Sequence, residues 1–397
     1  MDETRETELR TLRRKGFLHV LKIIAIILIL LAVLAFSVFL FFPKTFNIDR
    51  ITRFFRYLGL KNKESYGTIT FEADASNTYA ALGDCLLVSS EGGAVLYDME
   101  GTQTAFLQAS LPTPVLCTSP DYCICFSPGG GNILLIDDSG KQISLPAMNS
   151  ILDADVSSDG YIACVHTKDG YKSAATVYNR SRKAMFSLSS RTRYLNACAV
   201  SEDGDWLAVS ALAEEEGLYH SVVMLLRTDT NIPDLDAASS SVIRVDIGSD
   251  FIYDMKFVDA AHLCIIGEEN VMFLDTKGQL TTPDCFDGMQ LQDYAFSEEG
   301  FCAFSLKSTV SVRENTLLVL DENGTELGRL TSETAFRDIS ARDEYVALLS
   351  EKELQIFDRK LKLYYHTADI KAANEVCARD DGTALLIGYN SASLYIP

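Results

Sequence analysis

The side chains that most often do chemistry in enzymes are few in this sequence and widely spaced. None of the five histidines stands at a spacing typical of metal ligands; they are His19, His166, His220, His262 and His366. HExxH, GxSxG and SxxK motifs are absent, so no pattern points to a zinc peptidase or a serine acyltransferase. From the residues we predict no catalytic residue, no cofactor-binding residue, no cofactor and no metal ligand.

Two further stretches resemble sites only superficially. The run Pro128-Gly129-Gly130-Gly131 lacks the Gly-Lys-Ser/Thr of a phosphate loop and is better interpreted as a hairpin between two strands. Cys123 and Cys125 are two residues apart in a predicted strand, which places both on one face and is poor geometry for zinc. Carboxylates are abundant, but a pair suited to glycoside chemistry cannot be recognised from sequence.

Charge is unevenly distributed along the 397 residues, whose formal net charge is -20. Residues 1–63 contain 12 basic and 5 acidic residues, whereas the remainder contains 23 basic and 50 acidic residues, a net charge of -27. So acidic a region repels phosphate backbones, which argues against nucleic acid as a partner. The ten cysteines all follow residue 84, mostly within apolar runs, and we expect mostly free, buried thiols, with an occasional disulfide left open.

Eight similar units follow one another from about residue 79 to the C-terminus. The clearest begins LNACAVSEDGDWLAVS at residue 195: an alternating run, a Ser-x-Asp-Gly turn and a second apolar run. A second landmark, Asp-x-x-Gly, recurs as a hairpin turn at residues 98–101, 137–140, 275–278 and 321–324. Four strands per unit at a period near 40 residues predict an all-β, eight-bladed β-propeller, with seven blades as the fallback.

The last unit is one strand short, and a spare alternating run, GTITFE, occupies residues 67–72 just before the first unit. If this run becomes the outer strand of the last blade, the ring closes without a covalent link and no strand edge is left exposed there. The fourth unit departs from the others through two insertions, and loops of this kind either are tolerated surface features or bind partners. We predict a partner-binding insert there, formed by Glu214, Glu215, Glu216, Tyr219, His220, Asp234 and Asp236.

One segment, residues 23–42, is uncharged and apolar over 20 residues, enough to cross a bilayer as a helix. We therefore predict a cytoplasmic basic tail at 1–16, an uncleaved transmembrane signal anchor at 17–42, a juxtamembrane linker at 43–63 and the propeller at 64–397. Basic residues flank both ends of the span, so their count alone does not fix its orientation. Because the tail is short and the following domain long, we place the N-terminus inside and the propeller outside; the opposite topology stays open.

The segment after the span, residues 46–60, fits an amphipathic helix. Its candidate membrane-interface residues are Arg50, Arg53, Phe54, Phe55 and Arg56. Such a helix either lies in the lipid headgroup region or packs against protein, and the sequence favours neither alternative.

The strand-turn-strand phrases SSDGYIACV, SEDGDWLAVS, SEEGFCAFS and RDDGTALLI resemble those of WD40-like and TolB-like propellers. The Gly-His and Trp-Asp dipeptides of true WD40 repeats are absent, and Trp206 is the one tryptophan. The whole layout also resembles a family of membrane-anchored proteins of unknown function in clostridia and related Gram-positive bacteria. That resemblance implies a fold and an address but no activity.

Two functional hypotheses fit these features. The first is a non-catalytic binding or scaffold module outside the membrane, whose partner is an envelope protein or glycan. The second is an enzyme acting on envelope glycans or peptides, which requires a polar funnel with two carboxyl groups within about 10 Å and a perturbed pKa. A channel filled with apolar side chains would remove the second hypothesis. Because a fold does not by itself confer activity, we favour the first.

Overall fold

The computed structural model describes residue 57 and residues 68–145, 149–215, 217–237, 242–284, 286, 288–311, 313–370 and 372–397. The predicted tail, the apolar span and the five candidate membrane-interface residues lie outside these ranges. Within the ranges, no helix is long and apolar enough to cross a bilayer. The chain divides into a first unit, Met1–Asn62, and a second, Lys63–Pro397, and every strand of the described ranges belongs to the second unit.

Eight four-stranded antiparallel sheets, the blades, make up the described part of the second unit. Apart from one strand, each blade contains consecutive strands in chain order, and the first of them is its inner strand. Blades 1 and 2 contain β2 Thr78–Leu82, β3 Cys85–Ser90, β4 Gly93–Asp98, β5 Gln103–Gln108, β6 Val115–Thr118, β7 Tyr122–Phe126, β8 Ile133–Asp137 and β9 Gln142–Ser144. Blades 3 and 4 contain β10 Ile151–Val156, β11 Ile162–Lys168, β12 Tyr171–Tyr178, β13 Ala184–Ser190, β14 Tyr194–Val200, β15 Trp206–Glu215, β16 Leu218–Arg227 and β17 Val242–Gly248.

The other four blades repeat this plan. Blades 5 and 6 contain β18 Ile252–Phe257, β19 His262–Gly267, β20 Val271–Asp275, β21 Leu280–Thr281, β22 Met289–Ser297, β23 Phe301–Ser308, β24 Asn315–Asp321 and β25 Glu326–Ser332. Blades 7 and 8 contain β26 Phe336–Arg342, β27 Tyr345–Ser350, β28 Leu354–Asp358, β29 Leu363–Thr367, β30 Glu375–Ala378, β31 Ala384–Ile387, β32 Ser391–Tyr395 and, as the outer strand of blade 8, β1 Thr68–Thr70. The prediction of an eight-bladed propeller is therefore confirmed.

Non-covalent closure of the ring is also confirmed. Strand β1, from the predicted GTITFE run, pairs antiparallel with β32, and Ile69 lies opposite Ala392. Ile69 is fully buried between blades 8 and 1. A second contact closes the same seam on the turn side, where the buried Arg379 guanidinium of blade 8 donates to Asp84 and, at 3.1 Å, to the Gly83 carbonyl of blade 1. The first and last blades are thus held together at two separate places.

The hydrophobic core lies between the blades, since each of the eight apolar clusters of the described residues fills one blade interface. This explains why the second and third strands of most blades are nearly continuous apolar runs: both of their faces are covered. Cysteines occupy several of these interfaces as small apolar residues, and no disulfide joins any two of the nine described cysteines.

The Ser-x-Asp-Gly turns connect the first and second strands of a blade, as predicted. In blade 4, Gly204 has a φ of +73°, and a Cβ atom at this position would collide with the Tyr161 ring of blade 3. In the neighbouring turn Gly160, with a φ of +81°, faces the Tyr122 ring of blade 2 in the same way. Glycine is therefore needed twice over, for the positive φ and for the aromatic ring packed against it.

The Asp-x-x-Gly landmarks are hairpin turns capped by their aspartates. In the turn after β4, one Asp98 carboxylate oxygen accepts hydrogen bonds from the backbone N–H groups of Glu100 (3.1 Å) and Thr102 (2.7 Å). The same pattern recurs after β8, β20 and β24. Capping by aspartate and a positive φ at glycine together fix the register of the outer hairpins.

The ring has two faces, which we name by what lies on them. The turn face contains the turns between first and second strands, where the inner strands end, and the hairpins between third and fourth strands. The mouth face contains the starts of the inner strands and the hairpins between second and third strands. Strand β1 pairs antiparallel with a third strand, with Thr68 opposite Ser393 and Thr70 opposite Ser391, so it begins towards the turn face and ends towards the mouth face.

Candidate functional site

A recurring irregularity of the inner strands places acidic side chains around the central channel. In five consecutive blades, 3 to 7, the pairing of the first strand with the second shifts by one residue near its start. The residue after the bulge is an aspartate in four of these blades, namely Asp153, Asp254, Asp293 and Asp338. Bulges redirect side chains on edge strands, and an inner strand is such an edge.

Three of these aspartates join neighbouring blades. The Asp153 carboxylate accepts a hydrogen bond from the Cys198 N–H of blade 4 at 2.8 Å, and Asp338 accepts one from the Val376 N–H of blade 8 at 2.6 Å. Asp293 accepts from the Ile339 N–H of blade 7 at 3.2 Å. Because an inner strand has no ladder partner on its channel side, these carboxylates satisfy N–H groups that would otherwise be unpaired.

The fourth aspartate makes a different bond to the next blade. One Asp254 oxygen accepts from the backbone N–H of Met255 at 2.7 Å, and the other accepts from the Tyr294 hydroxyl of blade 6 at 3.0 Å. Both carboxylate oxygens of Asp254 therefore accept a hydrogen bond. Its environment still contains other acidic groups, which affect its protonation.

The channel holds a polar cavity of about 410 Å³ that is lined by the inner strands of blades 2 to 7. Its acidic side chains are Asp153, Asp155, Asp254 and Glu298, and its basic side chains are Lys256 and Arg342. The second functional hypothesis required a polar channel, and this channel meets that requirement. The cavity is therefore the candidate site.

Two basic side chains tie the channel together near the turn face. Lys256 of blade 5 donates from Nζ to Asp155 at 2.6 Å and to the Val156 and Thr118 carbonyls at 2.9 and 3.2 Å, in blades 3 and 2. Arg342 of blade 7 donates to the Ser119 and Pro120 carbonyls of blade 2. Both cations reach across the ring rather than to an adjacent blade, so they form the floor of the cavity.

Two acidic groups of this cavity, Asp153 and Asp254, are hard to ionise. Burial, together with the charge of Asp254, raises the pKa of Asp153 to about 7. Burial also raises the pKa of Asp254 to about 6, and the charge of Asp155 adds to that effect. Burial acts against the charged form of Lys256, yet the adjacent Asp155 carboxylate leaves the Lys256 pKa above its usual value. The upper cavity thus holds partly protonated carboxyls, and the floor holds a fixed ion pair.

A second acidic pair bridges blades 6 and 7. Burial raises the pKa of Asp293, and burial with the charge of Asp293 raises that of Asp338 to about 8. The two side chains are hydrogen-bonded to one another, so near neutral pH the pair shares one proton across this bond. Burial raises the pKa of Glu375 in blade 8, and the nearby charge of Asp293 raises it further.

This pair predicts a pH-dependent stability that one substitution removes. Because the folded pKa of Asp338 is above the unfolded value, the folded state binds the additional proton between pH about 4 and 8, and stability falls as pH rises through that window. Asp338→Asn keeps an acceptor for Val376 and cannot ionise. Between pH about 5 and 8.5, the free energy of unfolding of the wild type should fall by on the order of 2 kcal/mol more than that of Asp338→Asn. Urea unfolding measures both decreases.

The matched control for this prediction is Asp169→Asn, which removes the same charge from an exposed hairpin of blade 3. It should follow the wild-type pH profile. Parallel profiles for Asp338→Asn and the wild type would contradict a proton shared between Asp293 and Asp338.

Exposed apolar side chains are concentrated on the mouth face. Twelve large apolar residues of the described chain are exposed, and eight of them lie on this face: Val115, Leu152, Tyr194, Leu218, Tyr219, Tyr253, Val310 and Tyr389. The other four lie on outer strands: Phe106, Met185, Leu363 and Tyr365. None of the twelve lies in a turn of the turn face. Where such side chains lie on adjacent blades, as on blades 2 to 5, they are candidates for an interaction surface.

The predicted insert of blade 4 is placed at the same face. Glu214, Tyr219 and His220 belong to the hairpin of β15 and β16, with Glu214 opposite Tyr219. Glu215 is the last residue of β15, and Glu216 lies outside the described residues. Asp234 pairs with Ser189 at the mouth-face end of β13. Partner binding by these residues stays a prediction.

Asp236, the last residue of that predicted set, has a structural role. Its carboxylate accepts hydrogen bonds from the Arg191 N–H at 2.7 Å and the Thr192 hydroxyl at 2.6 Å, and a further one from Ser190. It therefore anchors the inserted loop to the connection between blades 3 and 4.

The channel residues escaped the sequence reasoning, although a signal for them exists. Aspartate is the second residue in each of the inner-strand runs LDADV, YDMKF, QDYAF and RDISA. The position of these aspartates in the channel could not be predicted from this pattern, because charged residues in a short strand usually face solvent. The bulge that turns them into the channel is visible only in the pairing of the strands.

The fold is an eight-bladed β-propeller that resembles solved WD40 propellers. The crystal structure of the C-terminal WD40 domain of Sif2 is similar to this chain, with a TM-score of 0.52 and 10% identity, over 84% of this chain and 98% of that one. The Cps50 (Swd1) propeller domain of Myceliophteria thermophila matches with a TM-score of 0.45 and 12% identity, over 83% and 97%. Apo AztD from Citrobacter koseri matches with a TM-score of 0.45 and 10% identity, over 81% and 89%. At these identities the likeness shows the fold alone.

The chain belongs to the family of unknown function DUF5711, whose sequence model matches residues 57–391. That match covers the whole ring of blades up to the last strand. A search of curated proteins finds no match.

Proposed function

We propose that this protein is a membrane-anchored binding module whose propeller stands outside the cell and which acts without catalysis. The observation that carries the proposal is the concentration of exposed apolar side chains on the mouth face. A partner that covers these side chains would remove apolar surface from water, the main favourable term in most protein association.

The bonding of the channel aspartates supports a binding role over catalysis. Asp153, Asp293 and Asp338 each hold the inner strand of the following blade through a backbone N–H. Asp155 does the same for Val200 at 2.9 Å while it pairs with Lys256. Carboxylates that keep blades in place are explained by the architecture and need no reaction to account for them.

The proposed anchoring in the membrane is supported by the apolar run at 23–42 and its basic flanks. It predicts that the propeller of intact cells reacts with an impermeant reagent. Ser139→Cys introduces a thiol in an exposed turn of the turn face. Buried native thiols of the described residues react slowly, since burial raises the pKa of Cys125 to about 11 and that of Cys164 to about 12.

We expect an impermeant maleimide to label Ser139→Cys in intact cells well above the wild type. Labelling that appears only after lysis would reverse the topology.

Binding is tested separately with a photo-crosslinking residue at Tyr194, on the mouth face, and at Ser139 as the matched turn-face position. Partner cross-links from Tyr194 that exceed those from Ser139 are expected, and equal yields or no yield would reject the mouth face as the binding surface.

A second candidate function is an enzyme acting on envelope glycans or peptides. The raised pKa values of Asp153 and Asp254 in a common cavity favour it, since a general acid near neutral pH needs such a shift. The test is release of soluble fragments from purified cell wall by the full chain. Release that Asp153→Asn abolishes would establish this function and displace the binding role.

A further inference from the structure

We propose that the mouth face docks a protein partner that inserts a lysine or arginine side chain, flanked by apolar residues, into the channel cavity. This inference rests on the binding role proposed above and names its surface and the chemistry of its partner. It combines two independent features of the ring: an apolar rim and an acidic recess within that rim.

The rim is an arc of four exposed apolar side chains on consecutive blades. Val115, Leu152, Tyr194 and Tyr253 lie at or next to the starts of the inner strands of blades 2 to 5. Leu152 and Tyr253 are the bulged residues of their strands, and Tyr253 is 58% exposed. Val115 and Tyr253 also line the cavity, so the rim is continuous with the recess.

A projecting hairpin raises one side of this rim. Tyr194, at the start of β14, pairs with Leu212, and β15 and β16 continue for three further pairs, the last being Glu215 with Leu218. Three pairs at the rise of a strand extend the hairpin about 10 Å beyond the inner strand. Leu218 and Tyr219 are both exposed there, beside the exposed Glu214. The hairpin therefore forms an apolar wall with an acidic group beside the mouth.

The charges of the cavity determine what the recess accepts. Asp153 and Asp254 directly follow the rim residues Leu152 and Tyr253, so they lie towards the mouth. The positive charges of Lys256 and Arg342 lie at the floor, where Asp155 and backbone carbonyls already engage them. An inserted cation would be attracted by the ionised fraction of these two carboxyl groups and would favour their charged form.

The apolar rim can contact the methylene groups of a basic side chain, and its tyrosine rings attract the positive charge. Long basic side chains bury their methylene groups against apolar surface while the charged end reaches polar groups. Tyrosine rings also attract cations, and Lys172 already lies over the Tyr194 ring at 4.4 Å from its centroid. A free amine would use the recess without the rim, whereas a protein segment uses both. Buried aromatic and arginine contacts of this type dominate protein interfaces.

The turn face does not offer this combination. Its turns carry many acidic residues, such as Glu202 and Glu299, yet none of the large exposed apolar residues of the described chain lies among them. Acidic charge alone attracts basic partners weakly and in a salt-dependent way. The mouth face therefore provides a place where a basic side chain and its apolar neighbours are both bound.

The experiment selects random linear peptides, displayed on phage, against the full chain in detergent. We expect enrichment of peptides in which lysine or arginine is flanked by apolar residues. The selected peptides should bind Asp254→Asn and Tyr253→Ser about tenfold more weakly than the wild type. Asp138→Asn, an exposed acid-to-amide change on the turn face, should bind them unchanged.

Tyr253→Ser keeps the test informative if Asp254→Asn unfolds, because Tyr253 is exposed and donates nothing to the carboxylate bonds of the channel. Three results would overturn the inference: no selected peptide, selected peptides without a basic residue, or equal binding to Tyr253→Ser and the wild type. Binding of n-butylamine as tightly as the peptides would assign the recess to free amines and overturn it as well. Cross-linking from Tyr194 in cells that persists despite such a result would leave the proposed binding function standing.

Discussion

Replacement of Lys256 by methionine is expected to lower the free energy of unfolding by about 3 to 5 kcal/mol, the usual cost of removing one partner from a buried ion pair. The Lys256 side chain is 12% exposed and that of Asp155 is 3% exposed. Without the ammonium group, the Asp155 carboxylate stays buried, bonded to the Val200 N–H and unneutralised. The carbonyls of Thr118 and Val156 lose the same donor.

A second substitution separates this explanation from a loss of packing. Asp155→Asn removes the orphaned charge and keeps an acceptor for the Val200 N–H, so the double variant with Lys256→Met should regain at least half of the lost stability. Lys141→Met, in an exposed turn of blade 2, removes one positive charge without a buried partner and should change stability by less than about 0.5 kcal/mol. A double variant no more stable than Lys256→Met alone would show that the buried charge is not the cause. All four proteins are compared by urea unfolding.

Truncation of Ile69 to alanine is expected to cost about 2 to 4 kcal/mol, because a fully buried aliphatic side chain leaves a cavity when it is shortened. Ile69 is the central residue of the three-residue strand that closes the ring, and it belongs to the buried apolar cluster that contains Leu385 and Ile387 of blade 8 and Leu86 of blade 1. The loss should be concentrated at the seam between these blades. Hydrogen exchange of the β32 amides should therefore accelerate more than that of the β16 amides, on the far side of the ring.

Thr70→Ala is the matched control in the same strand. Thr70 is exposed and its substitution leaves the interface unchanged, so it should shift stability by less than about 1 kcal/mol. Uniform acceleration of exchange in all blades for Ile69→Ala would mean that the ring opens as one cooperative unit, and would contradict a local seam.

Much of the fold could be predicted from the sequence because its signals are local. A turn such as Ser201-Glu-Asp-Gly204 requires a positive φ at glycine and polar groups that cap the backbone, and these needs are met within a few residues. Apolar runs on both sides of such turns identify strands buried on both faces. The spare GTITFE run and the incomplete last unit together predicted the closure, since an unpaired strand edge is costly wherever it occurs.

The candidate site could not be predicted in the same way. Lys256 and Thr118 are separated by 138 positions, and Arg342 and Ser119 by 223, so nothing in their local sequence marks them as neighbours. The aspartates of the inner runs are equally ambiguous, because only a bulge decides whether Asp153 or Leu152 faces the channel. The insert of blade 4 was correctly recognised as unusual, but Asp236 within it stabilises the connection between blades 3 and 4.

The sequence by itself determined the number of strands in each blade, the turn types and the closure of the ring, because each depends on residues within a few positions of one another or on a simple deficit of one strand. The tertiary structure alone decided which charges meet in the channel and which apolar side chains remain uncovered. Those outcomes depend on the order of blades around an axis, which brings blades 2 to 7 to one cavity and gathers Val115, Leu152, Tyr194 and Tyr253 at its rim. Closing a chain into a ring creates proximity that no local pattern encodes.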